Sequence, residues 1–208
     1  MEKFTRLTAI ACPLAVENID TDQILPARFL KLKRDGAHAK ALFHDLRFDA
    51  SDNEQPQFPL NQSPWRQAKI IVSGANFGGG SSREAAVYAL FDYGIRCLIA
   101  PSFGDIFSQN AAKNGLLTAV TGESDNEALI AALNRDTSQT VSVDLEAQTI
   151  VCGKLSIHFD IDAARRTRLL NGWDDIDLTR SFHAEIEAFK AAHVRQQPWV
   201  IPGHGQSD

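Results

Sequence analysis

Lys69-Ile70-Ile71-Val72-Ser73-Gly74-Ala75-Asn76-Phe77-Gly78-Gly79-Gly80-Ser81-Ser82-Arg83-Glu84 passes from an apolar run through three consecutive glycines to two hydroxyls and a guanidinium. The run from Ala68 to Ser73 predicts a strand. Arg83 to Tyr93 predicts a helix, with Val87, Leu90 and Phe91 on one face and Gly94 as its stop. Glycines between the two permit backbone angles that other residues resist, and they let the chain come close to a bound group. A helix start adds unpaired N–H groups and the positive end of a dipole. Such a place suits an anion, a carboxylate as well as a phosphate, and it can hold the ionised form of a serine. A plainer reading stands beside this one. Ser81 followed three positions on by Glu84 has capping-box spacing, which by itself only starts a helix. A dinucleotide fingerprint needs a third glycine where Arg83 stands, and a P-loop needs G-K-[ST]; neither is present.

Outward from this stretch the chain reads βαβα. Phe4 to Ala11 predicts a first strand, ended by Pro13, and Asn18-Ile19-Asp20-Thr21-Asp22 is turn-prone. Lys31 to Gln67 carries Gly36, Pro56, Pro59 and Pro64 and predicts an irregular excursion with at most short helices. Arg96 to Ala100 and Leu116 to Val120 predict strands, with a helix from Ser102 to Lys113 between them. Ser124-Asp125-Asn126-Glu127 has the form of a capping box opening a helix to about Asn134. Thr140 to Phe159 alternates as strands, with turns near Glu146-Ala147 and Gly153-Lys154. Helices follow from about Asp162 to Leu170, stopped by Gly172, and from about Thr179 to His193, with Phe182, Ile186 and Phe189 at helical spacing. From about Gln196 the tail, with Pro198, Pro202 and two glycines, is expected to be mobile.

The 208 residues are enough for one domain with a proper core, and a single domain over 1–208 is expected. A hydrophobic content of 44% with 23% charged residues is that of an ordinary soluble protein. A net charge of −5 argues against a nucleic-acid partner. The basic cluster Arg165-Arg166 with Arg168 follows Asp160 and Asp162 and reads as a solvated helix face. No apolar run approaches the ~20 residues of a membrane span, and the N-terminus lacks a signal-peptide core. A cytoplasmic protein without a membrane partner is expected. Cys12, Cys97 and Cys152 are scattered and odd in number, which predicts buried free thiols and no metal site on this chain.

Two further segments give the glycine stretch a context. Asn18-Ile19-Asp20-Thr21-Asp22-Gln23-Ile24-Leu25-Pro26 sets two carboxylates around a threonine, close to Arg28. Ala100-Pro101-Ser102-Phe103-Gly104-Asp105-Ile106-Phe107 continues to Asn110 and Lys113-Asn114-Gly115-Leu116-Leu117. In this order around N-F-G-x-G-S-S-R-E, and with Leu170-Asn171-Gly172 beyond, the chain resembles the small subunit of 3-isopropylmalate dehydratase over nearly its whole length. That family is homologous to the swivelling C-terminal domain of aconitases. The resemblance implies an α/β fold, a swivelling β/β/α domain with a mixed sheet and flanking helices.

The resemblance also implies an activity, a hydro-lyase that interconverts 2- and 3-isopropylmalate by dehydration and rehydration in leucine biosynthesis. It implies a large-subunit partner carrying a [4Fe–4S] cluster, with none on this chain, and a small hydroxy-acid substrate. Carried over onto this sequence, Ser81 is the catalytic base. Gly80, Ser82 and Arg83 bind substrate, Arg83 by a two-point grip on a carboxylate. Asp20, Thr21 and Asp22 organise the site. Arg28, Leu30, Lys31 and Leu32 fall in the family's substrate-recognition loop. Three departures stand near the base: Gly79 where these small subunits usually carry cysteine, Ala85 in place of histidine, and Val87-Tyr88 in place of Pro-Trp. They leave open a related hydro-lyase acting on dimethylmalate, citramalate or homoaconitate, and a non-catalytic anion-binding regulatory subunit.

Overall fold

The computed structural model describes residues 1–33 and 35–200. The first strand, β1 (Arg6–Leu14), leads into three short helices, α1 (Thr21–Ile24), α2 (Ala37–Ala41) and α3 (His44–Arg47). Single 3-10 turns at Ala27–Phe29, Pro59–Asn61 and Trp65–Gln67 complete this excursion. Strands and helices then alternate: β2 (Ile70–Ser73), α4 (Glu84–Tyr93), β3 (Cys97–Ala100), α5 (Asp105–Lys113), β4 (Leu117–Val120) and α6 (Glu123–Arg135). A meander of β5 (Thr140–Asp144), β6 (Thr149–Cys152) and β7 (Leu155–His158) follows, then α7 (Ala163–Asn171). The chain continues with α8 (Asp175–Ser181), α9 (His183–Gln196) and a 3-10 turn at Pro198–Val200.

Among the described residues one mixed sheet holds all seven strands, in the order β4-β3-β2-β1-β5-β6-β7. The pairs from β4 to β1 are parallel, and those from β1 to β7 are antiparallel. The parallel strands are buried on both faces, which is why they read as unbroken apolar runs. Their side chains alternate between two cores. Ile71, Leu98 and Ala100 join Cys12, Leu14, Val87, Leu90 and Ala111 on one side. Ile70, Val72, Cys97, Ile99, Leu117 and Ala119 join Leu129, Leu133 and Leu169 on the other. Helices α4 and α5 thus cover one face, while α6 and α7 contribute to the core on the other.

The sheet and its helices form one compact unit, Met1–Gly172, and a second begins at Trp173. Where a single domain over 1–208 was expected, the contacts divide the chain at this point. Three local expectations are corrected. Pro13 does not end β1, which continues to Leu14. The strand pairs with β5 only from Arg6 to Ile10 and with β2 only from Ala11 to Leu14. Pro13 therefore falls where one edge has no ladder to supply, so its missing N–H costs nothing there. Helix α6 begins at Glu123 with Gly122 as N-cap and no side-chain cap, so Ser124 lies inside the first turn rather than opening a capping box. The last predicted helix is two helices, broken at Phe182. In this second unit Asp174 makes a capping box with Asp177, and Phe182 and Phe189 are exposed. The tail expectation falls in part on Pro202 and its two glycines, outside the described residues.

Candidate functional site

In an open parallel sheet, ligand sites form outside the carboxyl ends of the strands, where successive loops converge. Here the loop after β1 carries Asn18 to Asp22, the loop after β2 carries the three glycines and Ser81 to Arg83, and the loop after β3 carries Ser102 to Gly104. The middle loop is bound to both neighbours. On one side Thr21 N–H donates to the Gly79 carbonyl at 3.0 Å and Gly78 N–H to the Ile19 carbonyl at 2.7 Å, within a parallel bridge between Asp20 and Gly79. On the other, Phe77 N–H donates to the Ser102 carbonyl at 3.1 Å, and Gly104 N–H to the Phe77 carbonyl at 2.9 Å. The loops after β1, β2 and β3 are stitched into one surface.

Glycine is required in this loop for two separate reasons. Gly78 has φ +74°, and a Cβ added there would lie 2.3 Å from the Phe107 ring. Phe77 is fully buried below it, edge-on to Phe103 and Phe107 at centroid distances of 6.3 and 5.5 Å. Gly80 has φ +87°, but a Cβ added there would make only ordinary contacts, with Asp20 Cβ at 3.6 Å and Thr21 Oγ1 at 3.9 Å. Packing and backbone both demand glycine at the first position, backbone alone at the second.

Beyond the glycines, Ser81 and Ser82 are exposed and Arg83 is half-buried. The N-cap of α4 is Arg83, with no side-chain cap, so the Ser81–Glu84 capping box is not formed. The side chain of Glu84 instead accepts from Asn114 Nδ2 at 2.9 Å. Ser81 stands three residues ahead of the first helical residue, and among the described residues neither serine hydroxyl makes a hydrogen bond. Its main chain is held: buried Thr21 donates from Oγ1 to the Ser81 carbonyl at 2.9 Å. The neighbours of Thr21 are also engaged. Asp20 accepts from Gln23 N–H at 2.8 Å and caps α1, and Asp22 pairs with Arg83 Nη1. Three consecutive residues, Asp20, Thr21 and Asp22, thus meet Gly79, Ser81 and Arg83 in turn.

In the recognition loop, Arg28 makes its contacts within the excursion. Arg28 is paired with Asp45, approaches His44 Nδ1 at 3.1 Å and lies over the Phe29 ring at 4.5 Å. The Asp45 carboxylate, hydrogen-bonded to Arg28, titrates below its ordinary range, and the Arg28 guanidinium above its own. Leu30 and Leu32 are exposed at 40% and 37%, and Lys31 is exposed. Sequence reasoning missed the side-chain ties that brace the loop. Asn76 Nδ2 donates to Asn18 Oδ1 at 3.0 Å, with both residues at positive φ, and Asn76 N–H donates to Ser102 Oγ at 2.8 Å. Each lies inside a quoted motif, yet alone each reads only as a turn residue. The three thiols are buried and unpaired, and burial pushes Cys12 up to about 12. Among the described residues no three His, Cys, Asp or Glu side chains are grouped to hold a metal ion.

A family model for the aconitase C-terminal domain matches residues 1–123. A protein of Rhodospirillum centenum called 3-isopropylmalate dehydratase small subunit is 52% identical over 204 residues, 97% of this chain and 100% of its own length. The chain belongs to the family of 3-isopropylmalate dehydratase small subunits. A second member, from Dinoroseobacter shibae, is 48% identical over 96% of this chain and 100% of its own. The LeuD_N model matches residues 127–163. The crystal structure of 3-isopropylmalate dehydratase from Methanocaldococcus jannaschii aligns with a TM-score of 0.63 at 24% identity, covering 89% of this chain and 99% of that one. It confirms the fold expected for a small subunit of this family. The departures from the family pattern have simple settings here. Gly79 is half-buried beside Asn76, Ala85 packs against the core, and Val87 is fully buried. Tyr88 lies edge-on to His38 with ring centroids 6.0 Å apart.

Proposed function

We propose that this chain is the small subunit of a 3-isopropylmalate dehydratase, working with a large subunit in leucine biosynthesis in the cytoplasm. The observation that carries the site assignment is the meeting of Asp20, Thr21 and Asp22 with Gly79, Ser81 and Arg83. It leaves the Ser81 hydroxyl exposed and unused while its main chain is fixed. The reaction breaks a C–H and a C–O bond on adjacent carbons and remakes both with the positions exchanged. Ser81, as the alkoxide, takes the proton from carbon and returns it on rehydration. Arg83 grips a substrate carboxylate, Ser82 and the Gly80 main chain hold it further, and Asp22 orients Arg83. The [4Fe–4S] cluster belongs to the large subunit in this reading. The thiols here are buried at separate places and do not fit a cluster, and no step on this chain runs through one.

The test is reconstitution with the cognate large subunit and turnover of a small panel of hydroxy-acids. Preferential turnover of 2-isopropylmalate is expected. Tenfold better turnover of dimethylmalate, citramalate or homoaconitate would reassign the substrate, and absence of turnover with all of them would end the proposal.

A further inference from the structure

The excursion between β1 and β2, together with α4, lines an open cavity of about 970 Å³ with Phe29, Leu32, Ala41, Phe48 and Tyr93 in its walls. Small-molecule pockets run to roughly 300–1,000 Å³, so this one has room for a ligand. Arg47 also lines it and is only 5% exposed. Its Nε donates to Asn61 Oδ1 at 3.0 Å and its Nη1 to the Leu42 carbonyl at 3.3 Å. Among the described residues no carboxylate pairs with it, and Nη2 has no hydrogen-bond partner. Glu54, in the same wall, is held at both oxygens by Arg66, at 2.7 and 2.6 Å. The rings of Phe48 and Tyr93, 5.1 and 5.0 Å from the guanidinium carbon, offset its burial only in part. Burial pushes the Arg47 pKa down, yet an arginine keeps its charge in a protein. Among the described residues Glu54 is the one carboxylate acting on Arg47, and it does so without direct contact while bound to Arg66, so the two arginines and Glu54 keep one net positive charge. A largely buried cation so incompletely neutralised is costly, and the cavity beside it is where a further anion would sit.

We infer that this cavity binds a small carboxylate with an apolar body, the carboxylate on Arg47 and the body against Phe29, Leu32 and Phe48. Asp35, Asp52 and Glu54 at the walls outnumber the cations Lys40 and Arg47 and so favour a singly charged anion over a doubly charged phosphate, and the apolar lining disfavours a fully polar ligand. Leu32 belongs to the expected recognition loop, but none of the residues that hold Ser81 lines this cavity, so the site is separate from the one at Ser81.

The probe is 4-methylpentanoate, with 4-methylpentan-1-ol as its uncharged counterpart, titrated into the full chain by calorimetry. The acid is expected to bind saturably and about tenfold or more tighter than the alcohol. Arg47→Gln should weaken the acid by a similar factor and leave the alcohol unchanged. Ala39→Trp, which fills the cavity without touching Arg47, should weaken both. If Arg47→Gln does not fold, Ala39→Trp decides the matter, because acid binding at Arg83 would survive it and acid binding in the cavity would not. Equal affinities, or no saturable binding of the acid up to its solubility limit, would overturn the inference.

Discussion

Ser81 is held by its carbonyl and free at its hydroxyl, a combination that separates stability from turnover. Because the hydroxyl caps nothing, Ser81→Ala should stay within about 0.5 kcal/mol of the parent in chemical denaturation. In the reconstituted enzyme the same change should lower kcat by ~10²–10⁴-fold with little change in KM. A loss of about 1 kcal/mol with turnover intact would restore the capping reading instead. Thr21 behaves differently, since its Oγ1 is buried and positions Ser81 from below. Thr21→Val should cost about 1 kcal/mol and reduce kcat, while Thr21→Ser, which keeps the donor, should restore both. Denaturation curves beside steady-state kinetics distinguish the two residues. At Arg83, lysine would keep the charge and lose the planar fork that meets both Asp22 and a carboxylate. Arg83→Lys should therefore raise KM strongly and lower kcat as well.

The turn from β2 to α4 makes two glycines comparable within a few residues. Gly78→Ala meets both a positive φ and the Phe107 ring, whereas Gly80→Ala meets only the positive φ. Backbone strain alone costs roughly 1–2 kcal/mol, and forced overpacking adds a further ~1–3 kcal/mol. Gly78→Ala should thus be the more destabilising of the two by at least about 1 kcal/mol in urea titration. Equal losses would mean that the Phe107 ring yields freely. The strands and helices around this turn were legible because burial on both sides of the parallel sheet leaves apolar runs such as Ile70-Ile71-Val72. Their ends were less so. The start of α6 looked like a serine cap, but Gly122 takes that position and Ser124 is helical. The break at Phe182 has no proline or glycine to announce it. The site residues were legible as a set only through the order of three motifs. The Asn18–Asn76 and Glu84–Asn114 ties, and the enclosed Arg47, depend on contacts no local pattern carries.

At the scale of the molecule, the two cores carry thiols that folding holds in the neutral form. Burial raises Cys12 to about 12 and raises Cys97 as well. An unfolded thiol ionises near pH 8.5, so above that pH the unfolded chain sheds protons that the folded one keeps. Stability is fully present below this range and falls as pH rises, by ~1.4 kcal/mol per pH unit for each such thiol. Cys12→Ala should flatten the decline by that amount between about pH 9 and pH 10, measured by denaturation at each pH. Tyr93, raised by burial, adds to the decline in the same sense only at higher pH. The division of β1 has a consequence for synthesis. Its second half pairs with β2, but Arg6 to Ile10 pair with β5, on the far side of the chain at Thr140 to Asp144. As the chain leaves the ribosome at ~5–20 residues per second, that edge waits several seconds after β2 has emerged before its partner exists. During the interval Arg6 to Ile10 is an unpaired strand edge, the kind of surface that recruits stray strands. A nascent chain stalled before Thr140 should be captured by holding chaperones, and one released beyond Asp144 should not.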